Sequence, residues 1–193
     1  MPHIERPRVT RHTPVHVTMR CVDGLPTLRR SSHKRLIESI FRAESRKGFR
    51  LVHYSIQSNH LHLICEGDDT RAVSRGVQRI ASRMARQLNR RFGRKGKLFR
   101  ERFHSSLIST PRQMRNALRY VLLNLHKHRA ERGQATSGLD PYSSADRFDG
   151  WRRPPAMSRP PPGREQQAAV VPPQAWVART GWRKHGLLEP AWV

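Results

Sequence analysis

Acidic residues are scarce in this chain. Its 193 residues include 14 aspartates and glutamates against 38 lysines and arginines, a formal charge of +24. Repulsion on that scale is tolerated mainly where a polyanion is the working partner, which places nucleic acid first and an anionic membrane surface second. The aromatic residues of the tail do not form the amphipathic pattern of a basic membrane-surface helix. Long apolar runs are missing too: none approaches the roughly 20 residues that span a bilayer, so no transmembrane helix is expected. The opening MPHIERPRVTRHTPVH has no apolar centre, and no secretory signal is expected there. Cysteine is rare. Cys21 and Cys65 both fall in predicted strands and read as buried thiols in a reducing compartment rather than as a disulfide. With 36% hydrophobic residues, the chain can build one modest core.

What is present is ordered clearly. Residues 1–13 read as an extended lead-in. PVHVTMRC alternates with strand period, and Asp23-Gly24 closes it as a turn. Ser31 and Ser32 are positioned to cap a helix whose apolar stripe is Leu36, Ile37, Ile40 and Phe41, and Gly48 stops it. FRLVHYSIQ (49–57) and SNHLHLICE (58–66) predict a hairpin. Thr70 to Phe92 is the longest helix, apolar at Val73, Val77, Ile80, Met84 and Leu88. LFRERFHSSLIS (98–109) reads as a fourth strand. Thr110 and Pro111 then open a helix as N-cap and first helical residue. The order β-α-β-β-α-β-α predicts an α+β fold: a ferredoxin-like split β-α-β with an antiparallel sheet of about four strands, plus an extra C-terminal helix over the second sheet face. Residues 14–130 form the predicted folded domain. Residues 131–175 read as a turn-rich and Pro-rich linker, and 176–193 as a basic tail containing Trp176, Trp182 and Trp192.

Two features carry chemistry. In SNHLHLICE, His60 and His62 stand two residues apart on a strand and therefore share a face. Two imidazoles so placed can ligate one divalent metal while leaving coordination positions open, as a catalytic site requires. The bland alternative is a pair of half-exposed strand histidines. On the last helix, Tyr120 and Asn124 lie four residues apart and share a face beside the apolar stripe, extended by Asn116 and by Lys127 or His128. A phenol there can attack phosphorus, and an amide oxygen can complete a metal's ligand set.

The ordered combination of PVHVTMR, SNHLHLI, GKLFRERFH and RYVLLN resembles the HUH single-tyrosine transposases, and more closely their REP-associated tyrosine transposase branch. The likeness covers roughly residues 14–130, and DPYSSADRFDGW and GWRKHGLL are similar to endings in that group. The resemblance implies His60 and His62 as metal ligands, Asn124 as the third ligand where other members carry glutamine, and Tyr120 as nucleophile. It implies Mg²⁺ or Mn²⁺ as cofactor and hairpin or single-stranded DNA as partner. It also implies a bacterial, cytoplasmic and nucleoid-associated protein, either monomeric or a homodimer that swaps the tyrosine helix. Many relatives continue the helix end as N-P-V-R-A, where this chain has NLHKHR. The implied reaction joins the tyrosine to a 5′-phosphate and releases a 3′-hydroxyl, conserving the bond for rejoining. A free phenol titrates near ~10. A base is therefore needed, and the sequence leaves it open between His128 and a water.

The basic residues supply a substrate surface. Between Arg71 and Arg102 there are twelve lysines and arginines and one acid, Glu101. Arg71, Arg75, Arg79, Arg83, Arg86 and Arg90 recur at helical spacing, and with so few acids to pair with them they read as phosphate contacts. Arg100, Arg102 and His104 alternate on the predicted fourth strand, toward the cleft. Trp151, Trp176 and Trp182 either stack on bases or pin the tail to the domain. Two rival functions stand beside the transposase-like enzyme. One is a non-catalytic nucleic-acid-binding regulator derived from it. The other is a metal-independent ribonuclease of the same fold.

Overall fold

A computed structural model describes residues 8–45, 48–130, 133, 138–153 and 168–190, with side chains of 125–130 excepted. The strands are β1 (Val15–Arg20), β2 (Phe49–Ile56), β3 (His60–Gly67) and β4 (His104–Leu107). The helices are α1 (Ser31–Glu44), α2 (Thr70–Arg91), α3 (Pro111–Ala130) and the single turn α4 (Trp176–Arg179). The sheet order is β2-β3-β1-β4, and every pair is antiparallel. This is the split β-α-β arrangement that the element order predicts.

Alternation along the strands divides the molecule into layers. Leu61, Leu63 and Cys65 of β3 pack with Ile37, Ile40 and Phe41 of α1 and with Val73, Val77, Ile80, Met84 and Leu88 of α2. Ile64, on the other face, packs with Met114, Leu118, Val121 and Leu122 of α3. The approach of α2 to β2 depends on Gly76, where any Cβ would overlap the Phe49 ring.

Helix starts follow local chemistry, with one departure. Asp69 caps α2, its carboxylate accepting from Ala72 N at 2.6 Å. At α3, Thr110 Oγ1 accepts from Gln113 N at 3.2 Å while Gln113 Oε1 accepts from Ser109 N and Thr110 N. That is a reciprocal capping box. Helix α1 begins at Ser31 with Arg30 as its N-cap and no side-chain cap bond, so neither Ser31 nor Ser32 has the expected capping role. The fourth strand is shorter than expected. Only His104–Leu107 pairs with β1, while Arg100 and Arg102 lie in a bent segment anchored by a Cys21–Phe99 bridge and by Arg100 N donating to Arg20 O.

Of the stretch expected to be a linker, residues 138–153 pack onto the domain. Asp140 accepts from both guanidinium nitrogens of Arg29, at 3.0 and 2.8 Å. Ile56 N donates to Tyr142 O and Ser144 N to Tyr54 O, so this segment covers the free edge of β2. An uncovered edge strand invites pairing with other chains. Trp151 and Trp182 are buried with Phe148 against α3, and their indole N–H groups donate to Ala145 O and Ala178 O. Glu66 accepts from Gln174 N and Ala175 N at 2.8 and 3.1 Å, which fixes the incoming tail on the α3 side of the sheet. These two tryptophans pin the tail, whereas Trp176 is 56% exposed. Trp192 and the proline-rich 154–167 lie outside the described residues.

Candidate active site

The strand face toward α3 carries His60, His62, Ile64 and Glu66 from β3. Pairing of β1 with β3 sets Thr18 opposite His62 and Arg20 opposite His60, and pairing with β4 sets Thr18 opposite His104. Residues opposite each other in an antiparallel pair share a face. His16, Thr18, Arg20 and His104 therefore join the two histidines. Helix α3 crosses this face and brings Tyr120 to it.

Aromatic rings converge there. The His60 and His62 centroids are 4.8 Å apart, and Tyr120 stands edge-on to His62, also at 4.8 Å. His16 completes the cluster, 5.3 Å from His62 and 5.6 Å from Tyr120. Tyr120 is 42% exposed, one of only two large apolar side chains so open among the described residues. The convergence occurs within one chain. A phenol held at a histidine pair yet open to solvent is suited to meet an extended substrate.

The fit of a divalent cation rests on three side chains. His60 Nδ1 lies 2.9 Å from Asn59 Oδ1, and His62 Nδ1 lies 3.2 Å from Thr18 Oγ1. Among the described residues no group of three His, Cys, Asp or Glu side chains could hold a metal ion. A cation held by the two imidazoles would need a different third donor. Asn124, one turn beyond Tyr120, is 3% exposed, and neither its Oδ1 nor its Nδ2 has a hydrogen-bond partner among the described residues. Buried amides are almost always satisfied, so a donor oxygen kept in this condition fits a ligand role. Asn116 is exposed on the same helix. The side chains of Lys127 and His128, the latter considered above as a base, lie outside the described residues.

The arginines divide. Arg71, Arg75, Arg86 and Arg90 are exposed on α2, in the layer across the sheet from the histidines and Tyr120. Arg79 and Arg83 are not the acid-free pair expected: Arg79 Nε and Arg83 Nη1 each donate to buried Glu44 at 2.8 Å. Glu44 is distant in sequence and reaches them only because α1 packs beside α2. Arg100, Arg102 and His104 are exposed on the β4 side of β1, with Arg100 also 3.6 Å from Asp23. Since Arg100 and Arg102 are outside β4, strand alternation does not orient them, although the segment itself borders Arg20.

The sequence reading missed His16, Thr18, Arg20 and Asn59. Alternation in VHVTMR already put the first three on one face. What was lacking was the β1–β3 register that makes this face the histidine face. Burial, with His104 nearby, holds His16 down at about 4, so it is a neutral imidazole beside the tyrosine at neutral pH. The two thiols lie in the core on the α1 and α2 side of the sheet. Both are free and buried, Cys21 pushed up to about 12 and Cys65 also raised by burial.

The family model described as IS200-like transposase matches residues 10–123, which include His60, His62 and Tyr120 and stop one residue short of Asn124. A solved structure of a REP-associated tyrosine transposase bound to a REP hairpin is similar at a TM-score of 0.61 and 16% identity, covering 83% of this chain and 92% of that one. No curated protein matches.

Proposed function

Because this chain belongs to the family of IS200-like transposases, we propose that it cleaves and rejoins single-stranded, hairpin-forming DNA through Tyr120. The observation that carries the reading is the placement of the Tyr120 ring 4.8 Å from His62 in the same chain. The solved relative's hairpin partner supports the substrate class. In the proposed step, Tyr120 Oη bonds to the scissile phosphorus as the bond from phosphorus to O3′ breaks. The phenol gives up its proton, the 3′ oxygen gains one, and a 5′-phosphotyrosine results. Attack by a second 3′-hydroxyl reverses these changes and frees the tyrosine.

His60, His62 and Asn124 would hold Mg²⁺ or Mn²⁺. When bound, the cation supplies Lewis-acid polarisation of the phosphate. His16 and the ring of His62 wall the phenol and keep it edge-on to the histidines. Arg20, Arg100 and Arg102 form an exposed cationic border, with His104 beside them, that suits the DNA backbone entering from the β4 side of the sheet. One chain carries both nucleophile and histidines, so a monomer suffices.

The test uses a labelled single-stranded DNA hairpin with wild type and Tyr120→Phe, in Mn²⁺ or in chelator. A covalent adduct on a denaturing gel is expected only with wild type and Mn²⁺. Binding without cleavage by wild type would instead make the protein a nucleic-acid-binding regulator. Cleavage of RNA that survives both chelator and Tyr120→Phe would make it a metal-independent ribonuclease.

A further inference from the structure

The two histidines each have a neighbour that the proposed reaction has not yet used. Asn59 immediately precedes His60, and its side-chain oxygen lies 2.9 Å from His60 Nδ1. Thr18 comes from a different strand, set opposite His62 by the β1–β3 register, with its hydroxyl 3.2 Å from His62 Nδ1. In both rings, therefore, the same nitrogen is engaged, and it is the nitrogen nearer the backbone.

A neutral imidazole carries one proton, and its other nitrogen has the lone pair that binds a cation. An amide oxygen only accepts, so Asn59 requires the proton of His60 on Nδ1. A threonine hydroxyl can donate or accept, but it accepts from His62 Nδ1 without strain once the ring is in the same tautomer. We propose that Asn59 and Thr18 are positioning residues that set both His60 and His62 as Nδ1–H tautomers, turning two Nε2 lone pairs toward one cation. The assignment rests on the metal-dependent reading above, but its first measurement does not. Partners of this kind orient ligating histidines and raise their basicity, and their loss weakens metal affinity about 10- to 100-fold. The sequence distance between the partners matters. Asn59 acts within the hairpin, whereas Thr18 links the site to the central strand, so the two rings are held from separate elements.

The experiment takes the full chain, ¹⁵N-labelled and metal-free, and reads ring tautomers from long-range ¹H–¹⁵N correlation spectra. Wild type is expected to show Nδ1–H at both histidines. Asn59→Ala should shift His60 toward Nε2–H and leave His62 alone, and Thr18→Val should do the converse. Thr18→Ser and Asn59→Asp keep an acceptor and should keep the wild-type pattern. Titration calorimetry with Mn²⁺ alone should show about a 10- to 100-fold weaker affinity for Asn59→Ala and Thr18→Val, with near-complete rescue by the two conservative variants. Wild-type spectra with Nε2–H at either histidine, or tautomers indifferent to Asn59→Ala and Thr18→Val, would overturn the assignment. A wild type that binds no Mn²⁺ but keeps the Nδ1–H pattern would sink the metal reading and leave the positioning roles standing.

Discussion

Asn124 shows what its proposed ligand role would cost at the level of one residue. An unmade hydrogen bond on a buried polar group costs about 1–3 kcal/mol, and both polar atoms of this amide are in that state among the described residues. Replacing it by leucine, which keeps the branch at Cγ though it is bulkier, removes the unsatisfied groups. Asn124→Leu should therefore stabilise the metal-free chain by about 1–2 kcal/mol in urea unfolding. Mn²⁺ is expected to raise the unfolding midpoint of wild type and to leave that of Asn124→Leu unchanged. If Asn124→Leu were less stable than wild type without metal, the amide would have to be satisfied in some other way. That His60 and His62 share a strand face, and Tyr120 and Asn124 a helix, was legible in the sequence because strand and helix periods decide which residues share a face. Thr18 and Asn59 were not. A hydroxyl and an amide acquire a role only when a ring nitrogen is brought to them, and for Thr18 that depends on strand register.

Among the elements, packing between helices and sheet fixes what the site can use. The contact of Gly76 with Phe49 lets α2 lie close to β2, and this sets the depth of the layer behind the histidines. Gly76→Ala would improve helix propensity by about 1 kcal/mol, but overpacking of a filled core costs about 1–3 kcal/mol. A Cβ overlapping an aromatic ring that is itself fully buried belongs at the upper end. The net expectation is a loss of about 2 kcal/mol in unfolding free energy, with the hairpin affinity of the folded protein unchanged. Six of the seven main elements were legible from period and caps. The fourth strand was overextended, because LFRERFHSSLIS alternates well enough to pass for a strand along its full length. Only pairing with β1 shows that its first half bends away. The ion pairs of Arg79 and Arg83 with Glu44 were likewise hidden, since a sequence shows how many acids there are but not which helix lies alongside.

For the whole molecule, charge and protonation govern behaviour in solution. Each phosphate contact adds about 0.7 to the slope of log affinity against log salt for a single strand. Arg100→Ala with Arg102→Ala should flatten the slope by about 1.4. Arg75→Ala with Arg86→Ala, on the opposite layer, should leave it unchanged in equilibrium binding across a salt series. Equal flattening by both pairs would mean that DNA wraps across both faces. Stability should depend on pH through His53. Burial holds this imidazole at about 4, with Ser144 Oγ 3.1 Å from its Nδ1. The unfolded chain takes up the proton near 6.5, so between these values it binds more protons than the folded chain. The contribution of the neutral ring is complete above about 6.5 and is lost on acidification toward 4, about 3 kcal/mol in all. Urea midpoints at stepped pH should fall across that window, and His53→Gln should make the fall shallower. The described parts of the last third were the least legible region. Gly, Ser, Asp and Pro mark turns, and nothing in composition distinguishes a turn-rich strap bound to a core from a free connector.

The strap's attachment through Glu66 has a practical consequence for cutting the protein into pieces. The family match ends at residue 123, yet the carboxylate of Glu66 depends on amides fifty residues further on. A fragment trimmed to the homologous segment would strip away Trp182, Phe148 and Ala175 and expose the flank of α3 to water. It would also strand a carboxyl group without its donors. A fragment ending at residue 123 is therefore expected to unfold at lower urea than one that extends beyond Leu188.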